Sequence, residues 1–149
     1  WDKVPLAKNI PTLELPIEGA PSATGMGNPH CTFFVEDAEK INLEEMGPKF
    51  ENHPLFPERT NVQFASITAP DRIRMRVWER GVGVTLASGS SSCATAVSAN
   101  RRGLTGKNVQ IELDGGILDI NWREDGVWMT GPTMQVFSGH FSDEFLKSL

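Results

Sequence analysis

The sequence is poor in cysteine, in long apolar runs and in clustered charge. Its 149 residues include two cysteines, Cys31 and Cys93, which form neither a Cys-x-x-Cys pair nor a histidine spacing typical of zinc sites. We therefore expect no metal site and no framework of disulfides. Cysteine usage of this kind predicts a reducing compartment, the cytoplasm.

Features of membrane and nucleic-acid-binding proteins are also absent from the sequence. No apolar run approaches the roughly 20 residues that a membrane helix needs, and no charged segment followed by an apolar one opens the chain. The net charge is −5, and the arginines occur only in short groups. We expect neither a membrane span nor a nucleic-acid partner.

The length suits one domain or one half of a two-lobed enzyme, and a chain of this size can bury about two-thirds of its unfolded surface. It begins at Trp1 rather than at a methionine. We therefore expect it to be a fragment from which a natural N-terminal part has been removed.

Hydrophobic periodicity predicts an α+β fold. Residues 72–79 are the clearest strand, because apolar side chains at 73, 75 and 77 alternate with arginines, and the same parity places Glu79 on the apolar face. Residues 90–102 predict a buried helix of small side chains. The expected architecture is a mixed, strongly curved sheet of about seven strands wrapped around that central helix. Further strands are predicted at residues 12–17, 31–35, 61–68, 109–113, 117–123 and 127–136, with short helices at 42–52, interrupted at Gly47 and Pro48, and 142–148.

The stretch TLASGSSSCATAVSANRRG, residues 85–103, places a turn rich in glycine and serine before the predicted helix. The N-terminus of such a helix presents unpaired N–H groups and the positive end of the helix dipole, so a carboxylate or a phosphate is its natural ligand. The serines could equally serve only as N-caps. This stretch alone does not establish a site.

Three other stretches carry polar side chains that could complete such a site. Glu79 is followed at once by Arg80, GMGNPHC contains Asn28 and His30, and ERTNVQF contains Asn61. Each has a structural alternative: a bulge could turn Glu79 to water, and the histidine and asparagines could be ordinary turn or core residues. Together, an anion-binding helix end, a Glu–Arg pair and two amides complement a zwitterionic amino acid.

Five motifs, MGNPHC, FPERTNVQF, RVWERGVG, TLASGSSSCA and MTGP, occur in an order that resembles diaminopimelate epimerases over residues 1–139. The resemblance implies two similar α/β lobes with the active site between them, of which residues 1–149 are the C-terminal lobe and the N-terminal lobe is absent. It also implies a cofactor-independent reaction of lysine and peptidoglycan biosynthesis that interconverts LL- and meso-diaminopimelate. One cysteine from each lobe moves a proton on opposite faces of the α-carbon.

The cysteine that the resemblance assigns to this lobe falls on Ser88. A thiol has a pKa of about 8.5 that a helix N-terminus lowers, whereas a serine hydroxyl stays protonated at neutral pH. Ser88 is therefore not expected to act as a base, and its intact surroundings favour an engineered replacement over natural divergence. Cys93 is expected to pack in the helix, and Val84 stands where the family usually has glutamate.

The resemblance also implies roles at the reacting end of the substrate. Gly89 and Ser90 would bind the reacting α-carboxylate through backbone N–H groups. His30 and Glu79 would be the polar neighbours that tune the protonation of the thiols.

At the distal end of the substrate, the resemblance implies that Arg80 pairs with the carboxylate, helped by Asn28 and Asn61, and that Glu79 accepts the ammonium. Phe137 is similar to a position linked to dimer contact, so a homodimer is a further expectation.

Three other functions remain open at this point. GSSSC nearly forms the G-x-S-x-G motif of serine hydrolases with Ser91 as nucleophile, but Cys93 replaces the closing glycine. A racemase of another amino acid with the same fold would share most of the motifs, although the contacts predicted at Asn28, Asn61, Glu79 and Arg80 favour a substrate with two amino-acid ends. A non-catalytic amino-acid or carboxylate-binding module would be compatible with Ser88.

We expect the isolated chain to be inactive, because it lacks both the partner lobe and the thiol.

Overall fold

Strand β4 (Arg72–Glu79) lies at the centre of the fold because its side chains alternate as the sequence predicts. Ile73, Met75 and Val77 are at most 1% exposed. The arginines between them point to the other face of the sheet, where Arg74 pairs with Glu39 and Asp114. One face of β4 therefore supplies the core and the other a network of surface charges.

The computed structural model describes residues 1–149, and eight strands form one mixed sheet. The order of the sheet is β1-β2-β3-β4-β6-β7-β8, and β5 pairs with β4 outside this path. The pairs β2–β3 and β4–β6 are parallel, and all others are antiparallel. The remaining strands are β1 (Ser22–Gly25), β2 (Pro29–Phe34), β3 (Asn61–Ala69), β5 (Gly83–Thr85), β6 (Asn108–Leu113), β7 (Gly116–Arg123) and β8 (Gly126–Thr130).

Helix α2 (Gly89–Arg101) occupies the inside of this curved sheet. Its body is made of small side chains, and Ala94, Val97 and Ala99 are fully buried. It contacts β1, β2 and β3 on one side and β6, β7 and β8 on the other. Small side chains permit this enclosure, because they let the backbones of the helix and the strands approach closely. The predicted sheet wrapped around a central helix is confirmed.

Glycine ends helix α2 as the sequence predicts. Gly103 has a φ of 71°, its N–H donates to Asn100, and the N–H of Leu104 donates to Ala99. This pair of hydrogen bonds is the Schellman arrangement, for which glycine is the favoured residue.

Helix α1 (Leu43–Glu51) covers a second part of the core, around the stacked rings of Phe33 and Phe64. The predicted interruption of this helix is wrong, since it runs through Gly47 and Pro48. Gly47 is needed for packing, because the indole of Trp78 lies directly on its Cα. The buried side chains that follow keep the helix on the sheet beyond Pro48.

Two predicted strands differ from the structure. Residues 12–17 form bends, although Leu15 is buried, and prolines at 11 and 16 remove N–H groups that a sheet would need. Residues 127–136 form a strand only to Thr130, because Gly131 and Pro132 follow, and Val136 is 83% exposed.

Several short elements were not predicted. Strands β1 and β5 have four and three residues, too few to show a period, and a 3-10 turn covers Ala38–Lys40. The last helix, α3 (Asp143–Lys147), is capped by Ser142 and lies within the segment predicted for it. No helix combines the length and apolar character required to cross a bilayer.

Replacing Gly47 with alanine tests the packing of Trp78 on helix α1. Helix propensity favours alanine by about 1 kcal/mol, but overpacking costs about 1–3 kcal/mol, and the new methyl group would overlap the indole. We expect Gly47→Ala to lower the free energy of unfolding in urea. Gly106→Ala, where a Cβ meets nothing within 4 Å, is the control and should leave stability within about 0.5 kcal/mol. A variant at Gly47 as stable as the wild type would contradict this packing.

Candidate active site

The N-terminus of helix α2 is open. Ser88 occupies the N-cap position with extended backbone angles (φ −152°, ψ 113°), but its side chain makes no capping hydrogen bond, and the first turn has no acidic residue. The N–H groups of Gly89 and Ser90 are therefore left without a side-chain acceptor, and both residues are only half-buried. An uncapped helix end of this kind binds an anion.

Glu79 faces this helix end from the last position of β4. Its carboxylate accepts a 2.6 Å hydrogen bond from the hydroxyl of Thr85 and lies 3.3 Å from the Ser88 hydroxyl. Glu79 thus follows the parity of β4 toward the inside of the fold. Thr85 was missed as a site residue, because the β5 hairpin that returns it to Glu79 was not predicted.

Ser88 and Ser91 form a pair of hydroxyls behind this carboxylate. Their Oγ atoms are 3.0 Å apart, and the two residues are 7% and 0% exposed. The Ser88 hydroxyl is the donor in both contacts, to Ser91 Oγ and to the Glu79 carboxylate, so its one proton is shared between two acceptors. The full burial of Ser91 on the helix argues against its use as the nucleophile of a hydrolase.

His30, on β2, is fully buried. Its Nε2 lies 2.9 Å from Asn28 Oδ1, and its Nδ1 lies 3.0 Å from Gln63 Nε2. An amide nitrogen can only donate, so Nδ1 is bare and Nε2 carries the proton. Burial lowers the pKa of His30 to about 4, and the positive charge of Arg80 acts in the same direction. The ring is therefore neutral at pH 7.

Gln63 connects His30 with the helix and was missed by sequence reasoning. It is fully buried on β3, and its Nε2 also lies 3.0 Å from Ser91 Oγ. The available signal was a polar residue between apolar neighbours in the motif NVQF, at a position that faces the core.

The side chain of Asn61 forms hydrogen bonds with backbone groups. It is 4% exposed, its Oδ1 accepts from the N–H of Arg80 at 3.0 Å, and its Nδ2 donates to the carbonyl of Pro29 at 3.0 Å. Asn61 therefore joins the segment of His30 to that of Arg80. The guanidinium of Arg80 donates to the carbonyl of Glu58 at 3.0 Å.

Buried Glu51, on α1, holds the turn that follows Arg80. Its carboxylate accepts from the N–H of Gly81 at 2.8 Å and from the indole of Trp78 at 2.7 Å. Glu51 thus holds the residues on either side of Glu79 and Arg80, Trp78 by its indole and Gly81 by its backbone.

An open cleft of about 490 Å³ lies beside Arg80 and Asn28. Asp2, Lys3 and Glu58 also line it, so the cleft offers charges of both signs. Charges of both signs suit a zwitterion. The residues of the helix tip do not line this cleft.

The structure therefore brings the predicted residues together in two groups. Hydrogen bonds link Glu79 with Ser88 at the helix tip, and Arg80 stands with Asn61 and Asn28 near the cleft. The side chain of Ser90 bonds to none of them.

The remaining residues named from the sequence lie outside these two groups. Cys93 packs against the core around β4, and its burial raises the pKa of its thiol. Phe137 is 84% exposed in the segment after β8. Val84 is exposed, and nothing in the structure explains that residue there. The structure contains no group of three or more histidine, cysteine or acidic side chains that could hold a metal.

Residues 22–136 match the sequence model of the diaminopimelate epimerase family. The chain is 53% identical to the diaminopimelate epimerase of Rhodospirillum centenum, over 98% of this chain and 52% of that protein. It is 51% identical to that of Acidiphilium cryptum, over 98% of this chain and 54% of that protein. The chain thus spans about half the length of the curated relatives it matches.

Solved structures share the fold. A PhzC/PhzF phenazine biosynthesis protein from Clostridium difficile superposes with a TM-score of 0.58 at 17% identity, over 84% of this chain and 46% of that one. A PhzF-family protein from Bacillus anthracis superposes with a TM-score of 0.50 at 26% identity, over 73% of this chain and 37% of that one. Both support the α+β architecture of a curled mixed sheet.

The buried His30 makes stability depend on pH. In the unfolded chain a histidine has a pKa of about 6.5, whereas in the fold it is about 4, so protons bind the unfolded state first. The contribution of this pKa difference to the free energy of unfolding amounts to roughly 3 kcal/mol. It is complete above pH 6.5 and is lost as the pH falls toward 4. Urea unfolding measured across this range should show the loss.

Two variants separate this effect from general acid unfolding. His30→Gln should flatten that part of the pH dependence, and His140→Gln, which alters an exposed ring, should leave it unchanged. Equal pH dependence in the wild type and in His30→Gln would refute the buried neutral histidine.

Proposed function

Because the chain belongs to the diaminopimelate epimerase family, we propose that it is the C-terminal lobe of an enzyme that interconverts LL- and meso-diaminopimelate. The observation that carries this proposal is the position of Ser88, which lies between the Glu79 carboxylate and the open N–H groups of helix α2. In this proposal, an N-terminal lobe that precedes residue 1 supplies the other half of the site.

The open helix end suits the reacting end of an amino acid. Its N–H groups, from Gly89 and Ser90, would bind the α-carboxylate, and removal of the α-proton shifts negative charge onto that group. Donors already in place stabilise this charge without reorganising, which is how such sites lower a barrier. The side chain at 88 would then lie next to the α-carbon.

Two bases complete the proposed reaction. When a cysteine stands at position 88, as the resemblance implies for the family, a thiolate there or in the other lobe takes the α-proton and the thiol of the opposite lobe returns a proton to the other face, so that one centre is inverted and no cofactor is consumed. Glu79 would orient the group at position 88 through the hydrogen bond that it now accepts from Ser88. The ring of His30 stays neutral behind it.

The cleft beside Arg80 suits the distal end of the same substrate. A guanidinium and the amide of Asn28 complement a carboxylate, and both line the cleft. Asn61 would contribute by fixing the backbone of Arg80. Acceptance of the distal ammonium by Glu79 stays a prediction, since its carboxylate is turned to Thr85 and Ser88.

Two further elements of the proposal concern assembly and location. The exposed ring of Phe137 is proposed as a homodimer contact. We place the enzyme in the cytoplasm, in keeping with its two free thiols.

A non-catalytic role is the second candidate, and Ser88 is the observation that favours it. A hydroxyl at this position keeps the hydrogen bond to Glu79 but is not a base at neutral pH. Such a protein would bind diaminopimelate without exchanging its α-proton. A racemase of another amino acid with the same fold would bind its own substrate more tightly than diaminopimelate.

Ser88→Cys tests the proposed reaction in the full-length protein that contains this chain. We expect the variant to exchange the α-proton of diaminopimelate in deuterated water at least about 100-fold faster than the wild type, because general-base catalysis contributes 10²–10⁴-fold. Proton NMR measures the exchange, and titration calorimetry measures the binding of diaminopimelate to both proteins.

Ser148→Cys, which adds an exposed thiol near the C-terminus, is the control and should not accelerate exchange. Binding without exchange in Ser88→Cys would favour the non-catalytic role, and the absence of binding in both proteins would refute the substrate.

The chain of 149 residues by itself should not interconvert LL- and meso-diaminopimelate, even as Ser88→Cys, because in this proposal the second base belongs to the N-terminal lobe. The same NMR assay applies, with the full-length Ser88→Cys protein as positive control. Turnover by the chain alone would show that both bases lie within it.

A further inference from the structure

The side-chain amide of Gln63 is the start of two chains of hydrogen bonds. Its Nε2 lies 3.0 Å from His30 Nδ1 and 3.0 Å from Ser91 Oγ, and its Oε1 accepts from the hydroxyl of Thr32 at 3.2 Å. An amide nitrogen carries two hydrogens and accepts none. One hydrogen of Gln63 is therefore used by His30 and the other by Ser91.

The first chain leads to the cleft. Because His30 accepts at Nδ1, its proton lies on Nε2 and is donated to Asn28 Oδ1 at 2.9 Å. The oxygen of Asn28 is thus engaged inside the protein. The two N–H groups of the Asn28 amide are therefore available to a ligand in the cleft that Asn28 lines.

The second chain leads to the helix tip. Ser91 accepts from Gln63 Nε2 and from the hydroxyl of Ser88, which also lies 3.3 Å from Glu79. The proton of Ser91 is therefore left for His30 Nδ1, which lies 3.5 Å from Ser91 Oγ.

The opposite orientation of the same amide would reverse the first chain. With its oxygen toward His30 and Ser91, Gln63 would draw the protons of both toward itself. Asn28 would then donate to the bare Nε2 of His30 and turn its oxygen to the cleft.

We propose that Gln63 is a positioning residue that sets the direction of the first chain, from His30 to Asn28, so that Asn28 presents N–H groups to the cleft and selects a carboxylate over an ammonium there. Arg80, on the same cleft, adds positive charge to this selection. The inference rests on the proposed function for the identity of the ligand. The direction of the hydrogen bonds is independent of that function.

Gln63→Glu is the decisive variant, because glutamate has the size of glutamine but its carboxylate only accepts. In the full-length protein labelled with ¹⁵N-histidine, we expect the wild-type His30 to show a bare Nδ1 and a protonated Nε2. In Gln63→Glu we expect Nδ1 to be protonated. A protonated Nδ1 in the wild type, or a bare Nδ1 in the variant, would overturn the proposal.

Binding of meso-diaminopimelate is compared by calorimetry at a pH at which the spectra show a neutral His30 ring in each protein. We expect Gln63→Glu to lose at least about tenfold in affinity, since a carboxylate then meets the oxygen of Asn28 instead of its N–H groups. Gln110→Glu, on β6 at the opposite end of β4 from Glu79, is the matched control and should change neither the spectrum nor the affinity. Unchanged affinity in Gln63→Glu with a protonated Nδ1 would overturn the selection at Asn28.

Gln63→Met is the second variant in case the buried carboxylate prevents folding. It fills a similar volume without a donor, so the neutral His30 ring should populate both tautomers, with its one proton on Nδ1 in some molecules and on Nε2 in others. A spectrum identical to that of the wild type would overturn the role of Gln63. If the wild type fails to bind diaminopimelate, the proposed function fails, and the two spectra still decide the direction of the hydrogen bonds.

Discussion

Enclosure of helix α2 by the curved sheet is the constraint on which the rest of the structure depends. A helix surrounded by strands can carry only small side chains, and each polar group on it must find a partner inside the protein. Ser98 pairs with Thr24 at 2.7 Å, and Ser91 lies between Gln63 and Ser88. The N-terminal end of the helix, at Gly89 and Ser90, stays partly exposed and has no side-chain cap. The backbone N–H donors that a carboxylate would need thus result from the way the core encloses the rest of the helix.

The polar groups behind the helix tip form a network with a defined direction. An unpaired buried donor or acceptor costs about 1–3 kcal/mol, so the arrangement in which all are paired is strongly preferred over its alternatives. Buried His30 and Gln63 are held this way, in contrast to the charges on the outer face, where Arg74 and Glu39 form a partly exposed pair of small energetic value. A rigid network of this kind fixes which atoms the site shows to a ligand. The position of each proton then matters as much as the position of each side chain.

Patterns that depend on neighbouring residues were predicted well from the sequence. The alternation in β4, the small-residue helix and its glycine end all follow from local rules, and the structure has all three. The predicted strand at 127–136 was too long, because its apolar residues continue past the glycine and proline that end the ladder. Helix α1 was expected to break at Gly47, where the packing of Trp78 instead makes glycine a requirement of the fold. The two errors have different causes, since the helix depends on Trp78, which is distant in the sequence, and the end of the strand depends on the missing N–H group of Pro132.

The sequence by itself determined the fold class, the family resemblance and the presence of Glu79 and Ser88 near a helix end, because spacing and side-chain chemistry are properties of the chain alone. Only the tertiary structure decided that Gln63, Thr85 and Ser91 belong to the same site, since strand β3, the β4–β5 hairpin and helix α2 must come together before their atoms are within hydrogen-bonding distance. It also decided that His30 is neutral, because a pKa depends on burial and on the charge of Arg80 across the fold. Long-range contacts of this kind leave no periodic trace in a sequence.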